Sequence, residues 1–138
     1  MTREPAPKPL ELLLVEDNPG DVHLFMHALK RADTSHNVST VTDGAAALAY
    51  LRREGKHEAA PRPDLIILDL NLPKRGGREV LAAIKADPEL QEIPVIVLTS
   101  SEAERDIRES YALKANCYVT KPVELHDFLS TIRSIEEF

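Results

Sequence analysis

The sequence has a single cysteine, Cys117, among 138 residues. One thiol cannot form a disulfide within the chain, and a lone cysteine is typical of a reducing compartment. No apolar run is long enough to cross a bilayer, and residues 1–9 lack the apolar segment of a signal peptide. We therefore expect a cytoplasmic protein with no membrane partner, in which a disordered, proline-rich lead-in at 1–9 precedes one domain at 10–138.

Clusters of basic residues are also missing. The net charge of -6 argues against binding to nucleic acid, so we expect no nucleic-acid partner. No grouping of histidine and cysteine indicates a zinc site. We expect the five histidines to lie at the surface, and they are His23, His27, His36, His57 and His126.

What the chain does contain is an apolar run that ends abruptly in an acid. Residues 65–68 are Leu-Ile-Ile-Leu, which predicts a strand buried on both faces, as in a parallel sheet. Asp69 follows directly, and Pro73 and Gly76 then indicate a loop. Asp69 is therefore expected at the carboxyl end of a central strand, where open α/β sheets bind ligands. The alternative is that Asp69 only caps the following turn.

Strand-like and helix-like segments alternate five times along the chain. The predicted strands cover residues 10–15, 37–42, 65–68, 93–99 and 117–120. The predicted helices cover residues 19–32, 45–51, 78–86, 102–113 and 123–135, and Asn18 is the expected N-cap of the first. This alternation predicts an α/β fold with a doubly wound, five-stranded parallel sheet and five helices joined by right-handed crossovers.

Polar residues follow four of these strands and should share one edge of the sheet. They are Glu16, Asp17, Asp69, Thr99, Ser100 and Lys121. Each pair of carboxylates at about 4 Å would repel by roughly 4 kcal/mol at an effective dielectric constant of about 20. A divalent cation relieves that repulsion, and a few hard oxygen ligands favour Mg²⁺, with Mn²⁺ as a possible substitute.

A metal site beside a lysine and a hydroxyl indicates phosphoryl chemistry, with Asp69 placed to become an aspartyl phosphate. Three other functions compete. A phosphohydrolase would need a second acid where Asn71 stands. A flavin-binding module would have its phosphate repelled by Glu16 and Asp17. A module that is never phosphorylated would not need the complete set of acids, hydroxyl and lysine.

The chain resembles the receiver domain of two-component response regulators from residue 10 to residue 138. The matching residues, in order, are Glu16-Asp17-Asn18, Asp69-Leu70-Asn71-Leu72-Pro73, Gly77, Thr99-Ser100 and Lys121-Pro122. The resemblance implies a flavodoxin-like or CheY-like fold with strand order 2-1-3-4-5. Gly76 stands where many receiver domains have an acid, and we expect little effect on the chemistry.

A narrower likeness is to stand-alone regulators that work with phytochrome-type histidine kinases. It is carried by residues 69–74, 77–81, 106–107, 115–118 and 135–138. It implies a sensor histidine kinase, of the phytochrome type, as the partner. It also implies a homodimer formed through the fourth helix, fifth strand and fifth helix. The protein would be a switch in a phosphorelay and not a turnover enzyme.

The resemblance also implies a role for each site residue. Asp69 would accept the phosphoryl group. Asp17, Asp69 and the backbone carbonyl of Asn71 would bind Mg²⁺ directly, and Glu16 would bind it through water. The residues implied in phosphoryl binding and switching are Thr99, Ser100, Lys121 and Tyr118, with Pro122 in a cis peptide bond.

Overall fold

A computed structural model describes residues 10–30, 36–70, 76–99, 117–120 and 130 of the chain. Its strands are β1 Leu10–Val15, β2 His36–Val41, β3 Leu65–Asp69, β4 Val95–Thr99 and β5 Cys117–Thr120. Its α-helices are α1 Pro19–Lys30, α2 Gly44–Leu51 and α3 Gly77–Ala86, with a short 3-10 helix at Gly55–His57. The predicted helices at 102–113 and 123–135, and the lead-in at 1–9, lie outside the described residues.

The five strands form one parallel sheet in the order β2-β1-β3-β4-β5. This confirms the predicted architecture and strand order. β3 lies in the middle, and all five of its residues are buried. None of the helices in the described part of the chain is long and apolar enough to span a bilayer.

The sheet is covered on both faces, which explains why β3 is apolar at every position up to its final acid. Ile66 and Leu68 belong to one core cluster, together with Val80 and Leu81 of α3. Leu65 and Ile67 point to the other face and pack in a second cluster with Phe25 of α1. Successive side chains of a strand alternate between faces, so a strand covered on both sides must be apolar throughout.

Two helix starts are fixed by side-chain caps. Asn18 accepts a hydrogen bond from the backbone N–H of Asp21 at 3.1 Å, so its predicted role as the N-cap of α1 is confirmed. Asp43 caps α2 in the same way by accepting from the N–H of Ala46 at 2.8 Å. Each cap places the start of its helix within four residues of the end of a strand.

Six predicted boundaries were wrong by one or two residues. β2 begins and ends one residue earlier than predicted, α2 and α3 each begin one residue earlier, at Gly44 and Gly77, and β3 ends one residue later, at Asp69. β4 begins at Val95 and not at residue 93, because Pro94 has no N–H to donate to a neighbouring strand. The N–H of Ile93 instead bonds to Leu90 O at 3.0 Å and closes a turn.

Candidate functional site

Three carboxylates meet at the carboxyl edge of the sheet. Glu16 and Asp17 follow β1, and Asp69 is the last residue of β3. Oxygen atoms of the three side chains all lie within 4.8 Å of one another. Glu16 is fully buried and Asp69 is 2% exposed, whereas Asp17 is exposed to solvent. The structure therefore brings together the three acids that the sequence predicted at these strand ends.

The end of β1 explains how two adjacent residues reach the same site. In a continuing strand, Glu16 and Asp17 would point to opposite faces of the sheet. The backbone N–H of Glu16 still bonds to Val41 O at 3.0 Å, after which the chain turns towards α1. A carboxylate oxygen of Glu16 accepts from the N–H of Asn18 at 3.2 Å and stabilises this turn. Asp17, at the centre of the turn, is thereby directed back to the site.

Asp69 is held from the side of β4. Asp69 pairs with Leu98 in the parallel ladder, and the N–H of the next residue, Leu70, bonds to Leu98 O at 2.9 Å. Thr99 follows Leu98 and ends β4, so its backbone lies at the same edge of the sheet as Asp69. In β5, Tyr118 pairs with Val97 and Thr120 pairs with Thr99. Four predicted site residues, Asn71, Ser100, Lys121 and Pro122, lie outside the described residues.

An open groove of about 400 Å³ adjoins the acids, between α1 and the edge strand β2. It is lined by Glu16, Asp17, Pro19, Val22, His23, Met26, Thr40 and Thr42. The sequence analysis did not include Thr42 among the strand-end residues. It follows β2 directly, so the rule that found Glu16 after β1 and Asp69 at the end of β3 would also have found it.

The three acids suit a small divalent cation. The three carboxylate oxygens lie within 4.8 Å of one another, close enough for one cation to contact them directly or through a bound water. Mg²⁺ keeps several of its waters and is held by only one or two carboxylates, whereas Ca²⁺ takes six to eight oxygen ligands, so a site with three carboxylates favours Mg²⁺. Among the described residues, this is the one group of acid, histidine or cysteine side chains close enough to hold a metal. The described histidines do not join it: His23 and His27 are exposed as predicted, whereas His36 and His57 are half-buried.

Known proteins share both the sequence and the fold. The curated response regulator Rcp1 of Synechocystis sp. is 48% identical over 130 residues, which cover 94% of this chain and 88% of Rcp1. The crystal structure of the phosphorylated cyanobacterial phytochrome response regulator RcpA is 52% identical, with a TM-score of 0.84. That match covers 95% of this chain and 94% of RcpA.

A second solved structure bears on the acidic cluster. The Mn²⁺-bound form of Rcp1 is 48% identical, with a TM-score of 0.83 and coverage of 94% of both chains. The family model described as the response regulator receiver domain matches residues 12–133. That match covers both strand ends that carry the acids. The chain therefore belongs to the response regulator receiver domain family, whose members act as signalling switches.

Proposed function

We propose that this protein is a phosphorylatable switch in which Asp69 accepts a phosphoryl group from a sensor histidine kinase. Receiver domains as a family are phosphorylated on an aspartate and depend on Mg²⁺. The observation that carries the proposal is the convergence of Glu16, Asp17 and Asp69 within 4.8 Å at the carboxyl edge of the sheet. Asp69 is the central member, because β3 is the middle strand of the five.

The metal proposed for this site is Mg²⁺, with Mn²⁺ able to replace it. Asp17 and Asp69 would bind it directly, together with the backbone carbonyl of Asn71, and Glu16 would bind through water. When bound, the ion neutralises the carboxylates and the oxygens of the incoming phosphoryl group. Support comes from the carboxylate geometry and from the Mn²⁺-bound structure of the relative Rcp1.

The transfer itself needs little from the protein beyond position and charge. A carboxylate oxygen of Asp69 forms a bond to phosphorus as the phosphorus–nitrogen bond of the donor phosphohistidine breaks. The electron pair of the broken bond stays on the imidazole nitrogen, so nothing is oxidised or reduced. The carboxylates of Glu16 and Asp17 repel the negatively charged phosphoryl group that approaches Asp69. The reaction should therefore require the metal, which neutralises this charge.

The response to phosphorylation is assigned to residues on β4, β5 and the loops that follow them. Lys121 would pair with the phosphoryl oxygens, with a cis bond to Pro122. Thr99 and Ser100 would donate hydrogen bonds to the phosphoryl group, and Tyr118 would move inward. This would change the face made by the fourth helix, β5 and the fifth helix, a local charge change with a wider effect.

The partner proposed is a phytochrome-type histidine kinase, and the changed face is proposed to form a homodimer. The support for the kinase is the similarity to RcpA, whose structure is that of a phosphorylated phytochrome response regulator. The chain and RcpA match over nearly their whole lengths, so the similarity extends over the domain and is not confined to the segments around the site.

The test is the intact mass of the protein after incubation with acetyl phosphate, with Mg²⁺ and with a chelator. We expect one added phosphoryl group with Mg²⁺, none with chelator, and none in Asp69→Asn. Asp64→Asn is the matched control, because Asp64 is an exposed acid just before the opposite end of β3. It should be labelled like the wild type.

Two results would contradict the proposal. Undiminished labelling of Asp69→Asn would show that another residue accepts the group. Absence of labelling in the wild type, both with acetyl phosphate and with a phosphorylated phytochrome-type kinase, would favour a receiver domain that acts without phosphorylation.

A further inference from the structure

Helix α3 begins directly against the backbone of Asp69 and Leu70. Its first residue, Gly77, is buried. A Cβ atom at Gly77 would lie 2.5 Å from the carbonyl oxygen of Asp69 and 2.5 Å from the Cα of Leu70. Real Cβ atoms essentially never come so close to other heavy atoms. Any side chain at this position must therefore displace the backbone of Asp69, the start of α3, or both.

Space, and not backbone conformation, is what requires glycine at this position. Among the glycines in the described part of the chain, the one with positive φ is Gly55 and not Gly77. The backbone of Gly77 belongs to a regular helix, which an alanine adopts more readily than glycine does. The cost of a larger residue would thus come from the contact with Asp69 and Leu70.

The contact is held from both sides, so it cannot simply open. The N–H of Gly77 bonds to Leu70 O at 3.3 Å, and the N–H of Leu70 bonds to Leu98 O of β4 at 2.9 Å. Behind the contact, Val80 and Leu81 of α3 are fully buried against the sheet. Close-packed interiors transmit such displacements because they contain few voids to absorb them.

We propose that Gly77 is a positioning residue for phosphoryl transfer. By allowing α3 to contact the backbone of Asp69, it sets where the Asp69 carboxylate lies relative to Glu16 and Asp17. This rests on the proposed function of Asp69. A misplacement of about 1 Å can slow a reaction by about 100-fold, so a modest shift of this backbone should be measurable.

The neighbouring glycine provides a matched control. Gly76 has φ -65° and ψ 155°, which any residue adopts, and a Cβ placed there meets no atom within 4 Å. Gly76→Ala and Gly77→Ala therefore add the same methyl group to adjacent residues, and only the second presses on Asp69. Leu81→Ala is a further control, since it loosens the packing of α3 without adding an atom beside Asp69.

The experiment measures Mg²⁺ affinity and the rate of phosphorylation by acetyl phosphate, at a temperature where every variant is folded by circular dichroism. We expect Gly77→Ala to lose about 10- to 100-fold in Mg²⁺ affinity, in rate, or in both. Gly76→Ala and Leu81→Ala should stay within about twofold of the wild type. A purely structural role of Gly77 would lower stability in Gly77→Ala and Leu81→Ala alike and leave affinity and rate unchanged.

Wild-type affinity and rate in folded Gly77→Ala would overturn the inference, as would equal losses in Leu81→Ala. If Gly77→Ala does not fold, amide hydrogen exchange of the wild type replaces it. Mg²⁺ should then slow exchange at the Gly77 and Leu70 amides by more than at the amides of α2, which report the stability of the whole domain, and an equal change at all of them would overturn the inference. The proposed function is tested separately: undiminished labelling of Asp69→Asn would contradict it without involving Gly77.

Discussion

Asp17 differs from the other two site acids in being exposed to solvent. Glu16 and Asp69 are buried, so replacing either changes the core as well as the site. Asp17 can be removed without leaving a cavity, because its side chain lies outside the packed interior. Replacing Asp17 should therefore change metal binding without disturbing the packing of the core.

We expect Asp17→Ala to lower Mg²⁺ affinity by at least about tenfold, because one of three carboxylates is lost. Its unfolding free energy in chelator should be equal to or higher than that of the wild type, because removing Asp17 also removes its repulsion of Glu16 and Asp69. Titration calorimetry and urea unfolding measure the two quantities. Asp21→Ala is the control, since Asp21 lies in the first turn of α1 and outside the carboxylate group. Unchanged affinity in Asp17→Ala would remove Asp17 from the site.

Lys85 is a half-buried cation near the end of α3. Its ammonium donates to the carbonyl oxygens of Gln91 and Ile93 at 3.3 and 3.4 Å. Burial lowers the pKa of Lys85 below its ordinary value of 10.5, and the nearby carboxylate of Glu92 opposes this shift. The folded protein therefore releases this proton at a lower pH than the unfolded chain does.

This shift predicts a stability change at alkaline pH. As pH rises towards 10.5, the unfolded chain binds more protons at Lys85 than the folded protein does. The contribution of Lys85 to the unfolding free energy therefore increases with pH in that window. Lys85→Arg lacks the effect, because arginine stays charged. We expect the unfolding free energy of the wild type to rise relative to that of Lys85→Arg between about pH 8 and about pH 10, as measured by urea unfolding. Parallel curves would contradict this.

At the scale of elements, the end of α2 contains a strained residue. The N–H of Glu54 bonds to Ala49 O and that of Arg53 to Tyr50 O, a hydrogen-bond pattern that requires a left-handed residue just after the helix. Arg53 occupies that position with φ 56°, where glycine is usual. A left-handed conformation costs a residue with a Cβ about 1–2 kcal/mol.

We therefore expect Arg53→Gly to raise the unfolding free energy by about 0.5–1 kcal/mol, after allowing for the greater freedom of glycine in the unfolded chain. Arg52→Gly is the matched control: Arg52 has φ -87° and ψ -1°, which arginine adopts without strain. That change should destabilise by about 0.5–1 kcal/mol. Thermal or urea unfolding measures both, and a sign reversal between neighbouring arginines is the specific expectation.

At the scale of the whole molecule, folding brings together acids that are far apart along the chain. Glu16 and Asp17 follow β1, and Asp69 ends β3, so the site exists only when these two strands pair. A ligand that binds the folded protein and not the unfolded chain stabilises it by mass action. Metal binding should therefore be coupled to the stability of the entire domain.

We expect Mg²⁺ at about 100 times its dissociation constant to raise the unfolding free energy by about 2.7 kcal/mol, and a chelator to reverse the change. Sodium chloride at matched ionic strength is the control for screening. The gain should be largely lost in Asp69→Asn. An equal gain in that variant would place the stabilising metal elsewhere.

The local pattern of the sequence was enough to predict the architecture and to identify the three acids of the site. A strand covered on both faces must be apolar throughout, so the run at 65–68 indicated a buried central strand. Its terminal acid then had to lie at the binding edge. The cap at Asn18 was equally readable, because the amide side chain, the proline and the acid that follow act within one helical turn.

Only the tertiary structure decided how deeply each side chain is buried and how closely two elements approach. Pattern could not tell that Glu16 is buried and Asp17 exposed, because that depends on how the chain turns after β1. It could not show that α3 touches the backbone of Asp69 at Gly77. Sequence periodicity reports which face of an element is apolar. How closely two elements approach depends on every side chain packed between them.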